Sequence, residues 1–308
     1  MPVEDLQGRV AVVTGGAGGL GRAMGERFAQ DGMRVVLADV QPEPLAATVG
    51  ELRDAGHDVT GVPTDVSDWD SVVALRDGAL DAYGAVHVLC NNAGIGVGAE
   101  GRLWEHEPND WRWGIGVNLT GVINGISAFV PGMVASDEPG HVVNTSSGNG
   151  GVAPLLTTPE YSVTKAAVVT LTEVLHGQLD EDDSAVGASV LFPGPHMLRT
   201  GLFESWRNRP DELARSKPRA TPPVTLEQYE QIMQDAGVEV QYTSVEEVAG
   251  RVADAVRTDT FWILPPDDRT DDQIRARAES MLTRTNPGYL RQVAGTTSPA
   301  TQSTGASR

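Results

Sequence analysis

Thr14-Gly15-Gly16-Ala17-Gly18-Gly19-Leu20-Gly21 decides how this chain is read. It follows the apolar run Val10 to Val13 and precedes a stretch, Gly19 to Gln30, with apolar residues on adjacent helical turns. A strand that turns through glycines into a helix can aim backbone N–H groups at a phosphate, and the helix dipole favours the negative charge. Two spacings share the eight residues. Gly16, Gly18 and Gly21 fit G-x-G-x-x-G, and Gly15, Gly19 and Gly21 fit T-G-x-x-x-G-x-G. With a strand before and a helix after, dinucleotide binding is favoured over a plain flexible connection.

Outward from this turn, apolar runs alternate with helical patterns. Strands are expected at Val10 to Thr14, Arg34 to Asp39, Asp58 to Val62, Val86 to Cys90, His141 to Thr145, Ala188 to Phe192 and Phe261 to Leu264. Between them, helices are expected at Pro42 to Ala55, Asp68 to Tyr83, Asp110 to Val134, Glu160 to Leu179 and Ser244 to Arg257. Such alternation predicts an α/β fold, a doubly wound parallel sheet of about seven strands with helices on both faces, the Rossmann arrangement. Residues 1–292 are read as one domain, with a substrate-lid insertion at about 195–243. A helix is expected at Thr270 to Arg284, and residues 293–308, rich in Thr, Ser, Gly and Ala, are expected to be a disordered tail.

Composition narrows the function. A net charge of −19 argues against nucleic-acid and anionic-membrane partners. No run of eighteen apolar residues occurs, so no transmembrane helix is expected, and Met1 to Gly8 lacks a signal peptide's basic and apolar regions. The single cysteine, Cys90, excludes an intramolecular disulfide and fits a cytoplasmic location. The histidines lack metal-ligand spacing, and no metal is expected.

Individual residues then suggest chemistry. Asp39 ends the second strand, 18 residues after Gly21. A carboxylate there accepts hydrogen bonds from ribose hydroxyls and repels a 2′-phosphate, and neither Val40 nor the turn supplies a cation, so NAD is favoured over NADP. Asp65 and Val66 follow the third strand, where they either meet an adenine or cap the next helix. Asn91, Asn92, Ala93 and Gly94 follow the fourth strand, and their small size admits a flat ligand. Tyr161 and Lys165 share one helix face, and a nearby ammonium favours the phenolate. Tyr161 can then exchange a proton with an alcohol or ketone. Ser147, at a strand end, can donate to the substrate oxygen, and Asn118 can hold a water for proton relay.

In their order along the chain these pieces resemble the short-chain dehydrogenase/reductase family, in its branch with a single Rossmann domain. The pieces are Thr14-Gly15-x-x-x-Gly19-x-Gly21, Asp39, Asp65-Val66, Asn91-Asn92-Ala93-Gly94, Asn118, Ser146-Ser147, Tyr161-Ser162-Val163-Thr164-Lys165 and Pro193-Gly194. The resemblance implies the second glycine spacing, with Gly15, Gly19, Leu20 and Gly21 at the cofactor. It implies Tyr161 as acid/base and Ser147 as the group polarising the substrate oxygen. Lys165 would bind the nicotinamide ribose and lower the Tyr161 pKa, and Asn118 would complete the relay. Asn92, Ala93, Gly94, Pro193 and Gly194 would line the NAD cleft. It further implies a homodimer or homotetramer built on the two long helices.

Three departures stand out. Ser147 lies 14 residues before Tyr161, one more than is common in the family, which is read as an insertion within Gly150 to Pro159. Thr164 stands where serine is frequent, and Pro195 to Leu198 lengthen the connection to Thr200. His196 and the apolar lid residues Met197, Leu198, Leu202, Phe203 and Trp206 are candidates for touching substrate. The expected activity is NAD-dependent interconversion of a secondary alcohol and its ketone, with a bulky hydrophobic substrate. The alternatives are a catalytically silent nucleotide-binding regulator, or a dehydratase or epimerase on the same fold.

Overall fold

The structure is a computed structural model and describes residues 2–96, 102–217 and 224–290. Seven parallel strands form the sheet: β1 Val10–Thr14, β2 Arg34–Asp39, β3 Val59–Pro63, β4 Val88–Asn91, β5 Gly140–Thr145, β6 Val186–Leu191 and β7 Trp262–Ile263. Their spatial order is β3-β2-β1-β4-β5-β6-β7, so the order reverses between β1 and β4. Brackets of ligand-binding loops open outside the strand ends at such a reversal.

Alternation along the strands sorts the core into two layers, because successive side chains point to opposite faces. Val13, Val35, Leu37 and Cys90 face α1 (Gly19–Gln30), α2 (Pro42–Asp54) and the later helix at 245–258, packing on Met24, Phe28, Val49 and Val252. Val12, Val36, Leu89 and Val142 face α3 (Trp69–Tyr83) and two long helical stretches, packing on Leu75, Phe129 and Leu175. Both faces are thus covered, as parallel sheets require. Asp68 caps α3, its carboxylate accepting the Asp70 N–H at 3.0 Å.

One expected helix, Asp110 to Val134, differs in detail. The chain forms α4 (Pro108–Ile115), a π-helical turn at Gly116–Thr120, then α5 (Gly121–Ala135). The wider turn centres on Asn118, which is fully buried and tied to backbone outside the helix. Residues 108–135 also contain an 18-residue window of mean hydropathy 1.4, long and apolar enough to cross a membrane by length and composition. The expectation of no transmembrane helix rested on an unbroken apolar run; scattered Gly, Asn and Ser break the run here without lowering the window's mean far. Half of that window is buried, and Val122, Phe129 and Met133 belong to the core.

The remaining helices are α6 (Pro159–Glu181), α7 (Leu226–Asp235), α8 (Val245–Thr258) and α9 (Asp268–Leu282). Between β6 and α8 the lid segment carries 3₁₀ turns at Gly201–Asn208 and Asp211–Leu213, then α7. The expected tail, 293–308, lies outside the described residues.

Candidate active site

Where the strand order reverses, the ends of β1 and β4 are stitched together by one hydroxyl. Thr14 Oγ1 accepts the N–H groups of Asn92 (2.9 Å) and Ala93 (3.0 Å), while Asn92 Nδ2 donates to the Thr14 carbonyl at 3.0 Å. Asn91 Nδ2 donates to Asn144 Oδ1 at 2.9 Å, tying β4 to β5. The glycine turn sits on this seam. Gly15 (φ 68°) and Gly19 (φ 52°) adopt left-handed backbone, and a Cβ at Gly21 would lie 2.0 Å from the Gly15 carbonyl oxygen. Only glycine fits at position 21.

The start of α1 suits an anion. Its N-cap, Gly18, makes no side-chain cap, the first turn holds no acid, and nothing lies within 4 Å of a Cβ placed at Gly18. The first N–H groups of α1 are thus left without a side-chain cap from its N-terminal residue. Asp39 is no free surface carboxylate. Its Oδ2 accepts the Ala17 N–H at 3.1 Å and its Oδ1 the Gln41 N–H at 3.0 Å, so it braces the turn against β2. A carboxylate retains acceptor sites for hydroxyls beyond those two bonds. Leu20 is buried under the turn and Val40 is exposed beside it. Asp65 accepts from the Ser67 N–H and hydroxyl, at 2.9 and 2.7 Å, and caps no helix, since Asp68 does that. Val66 packs beneath Gly121, where a Cβ would come within 2.7 Å of it.

These residues line one cleft of 1240 Å³ together with Asn92, Ala93, Gly94, Ser147, Tyr161, Lys165, Pro193 and Gly194. Ser147 and Ser146 are resolved by their partners. Ser146 is buried and donates to the Lys165 carbonyl at 2.7 Å, whereas Ser147 lines the cleft close enough to the Tyr161 phenol to act on its pKa. The chain between Ser147 and α6 takes up its length in a π-type turn, Gly148–Val152, in which Gly150 has φ 109°.

α6 presents Tyr161 and Lys165 one turn apart, with the ammonium 5.7 Å from the phenol ring centroid. Lys165 is buried, and its Nζ donates to the Thr145 carbonyl at 2.8 Å. The pKa expectation for the pair needs correction. Burial pushes Tyr161 up, opposed by the nearby Ser147 hydroxyl, and pushes Lys165 down to about 8. Desolvation of both groups outweighs any help from the ammonium, which is turned toward Thr145. Asn118 is fully buried. Its Oδ1 accepts the Ile95 N–H at 2.8 Å, and its Nδ2 donates to the Ile95 carbonyl (3.0 Å) and Thr164 (3.3 Å). It holds the loop after β4 and touches the site through that loop.

The lid closes the other wall. Ser205 Oγ donates to the Gly96 carbonyl and accepts the Gly96 N–H, both at 3.0 Å. Leu202, Phe203 and Met197 line the cleft; Phe203 stacks at 5.4 Å on Tyr229, and Leu198 packs on the core. Trp206 is 43% exposed, so it covers the cleft only in part. His196 lines the mouth, exposed, its N–H on Thr243.

Two groupings were invisible to sequence spacing. His106, Asp110 and Glu160 converge within 4.8 Å, His106 bonding Glu160 directly. Asp110, however, already accepts Arg209 Nη1 at 2.7 Å, Arg215 lies 3.5 Å from it, and burial pushes the Glu160 carboxyl toward its neutral form. The two guanidinium charges offset the acids, so the cluster does not call for a cation. The second grouping, Ser189, His141 and Asp259, imitates a nucleophilic triad, with contacts of 2.5 and 3.5 Å at the imidazole. Ser189 and His141 are wholly buried within the sheet and Ser189 donates to the Thr260 carbonyl, so no substrate reaches them.

The chain matches the short chain dehydrogenase family over residues 9–211 and belongs to that family. It is therefore an oxidoreductase acting on CH–OH groups. A crystallised short-chain dehydrogenase/reductase from Burkholderia phymatum, in complex with NAD, is 40% identical; the match covers 92% of this chain and 97% of that one, with a TM-score of 0.81. A metagenomic short-chain oxidoreductase in complex with NADP is 34% identical over 62% of this chain and 84% of that one, at a TM-score of 0.57. The "C alpha-dehydrogenase" of Sphingobium sp. is 36% identical over 68% of this chain and 66% of its own length.

Proposed function

We propose that this protein oxidises a bulky, hydrophobic secondary alcohol to its ketone, or runs the reverse reaction, with NAD as the preferred cofactor. The observation that carries the reading is the meeting of Ser147, Tyr161 and Lys165 on the cleft that the glycine turn opens. The residues fit a dinucleotide: the uncapped start of α1 for phosphate, Asp39 for ribose hydroxyls, and the small residues Ala93 and Gly94 for close approach. A bound nicotinamide cofactor supplies hydride transfer to or from the carbinol carbon.

The chain's own residues handle orientation and the proton. Ser147 donates to the substrate oxygen from beside Tyr161, fixing where that oxygen sits. In oxidation the Tyr161 phenolate takes the hydroxyl proton; in reduction the phenol returns it. Lys165 would hold the nicotinamide ribose, and an ammonium so placed would favour the phenolate. Asn118 serves at one remove, through the Ile95 loop. Apolar lid residues Met197, Leu202 and Phe203 exclude water and favour a bulky hydrophobic substrate. Residues 1–292 are read as one domain with the lid at 195–243, and the lone Cys90 supports a cytoplasmic location.

A subunit contact is proposed on the long helices. Ile123 and the later Val134 on α5, and Val163 and Val174 on α6, repeat at eleven residues, so each pair lies along one helix face. All four are exposed in the single chain, between 38% and 52%.

The purified protein offered NAD or NADP with a panel of secondary alcohols, followed by the absorbance of reduced cofactor, tests the reading. NAD-dependent turnover is expected. NADP use without NAD use would refute the role of Asp39, and NAD binding without turnover on any alcohol would move the protein to the regulator class.

A further inference from the structure

The start of α1 offers a bound pyrophosphate only backbone dipoles, and no basic residue occurs in the glycine turn itself. The acids Asp39 and Asp65 lie on the same side of the cleft. A doubly charged pyrophosphate in that setting gains from a guanidinium. Four basic side chains other than histidine line the cleft among the described residues: Arg112, Lys165, Arg207 and Arg269. Lys165 is bonded to Thr145, Arg112 to Asn109, and Arg269 belongs to α9, after the last strand.

Arg207 is different. It belongs to the lid's first 3₁₀ turn, and its Nε donates to Gln41 Oε1 at 3.4 Å, just beyond Asp39 at the start of α2. Its Nη1 pairs with Glu204 at 3.0 Å, and its Nη2 lies 3.1 Å from a Cβ placed on Gly201. The same turn begins over the glycines, where Thr200 Cβ comes within 3.1 Å of a Cβ placed on Gly19. The lid therefore bridges the cleft from the phosphate end of α1 to the ribose end of β2, with one cation in the span. At 40% exposure, and held by one long bond and one partly exposed ion pair, that side chain is free to exchange partners.

We propose that Arg207 is a cofactor-recognition residue: the lid carries it over the glycine turn to bind a phosphate of the dinucleotide, so that lid and cofactor hold each other in place. The inference rests on the dinucleotide-binding reading given above. The phosphate is either the pyrophosphate, common to NAD and NADP, or the 2′-phosphate of NADP alone; the bracing of Asp39 favours the pyrophosphate.

The test compares wild type with Arg207→Gln and Arg207→Lys in direct binding of NAD, NADP and ADP-ribose by calorimetry, together with limited proteolysis. The expected result is a Kd for NAD and ADP-ribose raised about tenfold in Arg207→Gln, with partial recovery in Arg207→Lys. The salt dependence of binding should flatten in Arg207→Gln, because one screened contact is gone. NAD should slow cleavage within residues 200–217 of wild type and do so less for Arg207→Gln. Loss confined to NADP supports the inference with the 2′-phosphate as the partner. Unchanged affinities for all three ligands overturn it while leaving the dinucleotide site intact. Wild type that binds none of them removes the dinucleotide reading itself, and this inference with it.

Discussion

Tyr161 and Lys165 each cost the fold something to bury. Replacing Tyr161 by Phe keeps the ring and removes only the hydroxyl on the cleft beside Ser147. Turnover is expected to fall about 10²- to 10⁴-fold, while calorimetric NAD binding changes little; an active variant would refute the acid/base assignment. Lys165 makes a prediction about pH. Its folded pKa of about 8 lies below the roughly 10.4 of an exposed lysine. Between those values the unfolded chain binds a proton that the folded chain does not, so this residue's contribution to stability rises with pH. Lys165→Met should therefore gain most over wild type below pH 8, and the gain should shrink as pH approaches 10.5. Denaturant melts of both proteins at pH 7 and pH 10 check the sign. The bond to Thr145 lost in the variant displaces the whole difference without altering its slope. Both residues are legible in the sequence by type and spacing. The direction of their pKa values is not, because burial and the turn of Lys165 toward Thr145 arise only when α6 packs beside β5.

The elements around the site differ in how plainly they are written in the chain. β1, β2 and β4 are apolar runs bounded by turns, and the glycine turn declares itself by composition between a strand and a helix, so both can be read directly, although the bonds that anchor the turn reach Asp39 and Asn92. The π-helical turn at Gly116–Thr120 is another matter, since its cause is the hydrogen bonding of Asn118 to Ile95, 23 residues away. The clustering of His106, Asp110 and Glu160 likewise depends on how α4, α6 and the lid pack, and spacing carries no trace of it. The π-type turn after Ser147 makes the sharpest prediction at this scale. At Gly150, φ is 109° and a Cβ would lie 2.1 Å from the Ser162 carbonyl oxygen. Gly150→Ala should push the turn off α6, costing about 1–3 kcal/mol of stability and lowering turnover through displacement of Ser147. Paired denaturant melts and steady-state kinetics would show it. A stable variant of normal activity would mean that the turn does not position the serine.

At the scale of the molecule, the proposed subunit contact gives a direct measurement. Val174→Glu places a charge on the exposed α6 face without touching the core on its other side. Light scattering should find wild type as a dimer or tetramer and the variant shifted to monomer, whereas an unchanged mass would place the contact elsewhere. The family match ends at residue 211, inside the lid. The described start of the half that follows returns to the body through the Glu107 carboxylate, which accepts the N–H groups of Ser216 and Lys217. The cofactor seam is held differently. Its bonds run between the Thr14 hydroxyl and the backbone of β4, and between strand ends in register. The two halves of the cleft can therefore change at different speeds over generations. Substitutions in the lid can retune which alcohol is admitted, one side chain at a time, whereas a shift at the Thr14 seam would misalign every ligand the turn receives. New substrates on this scaffold would arise by exchange of the cover over an inherited floor.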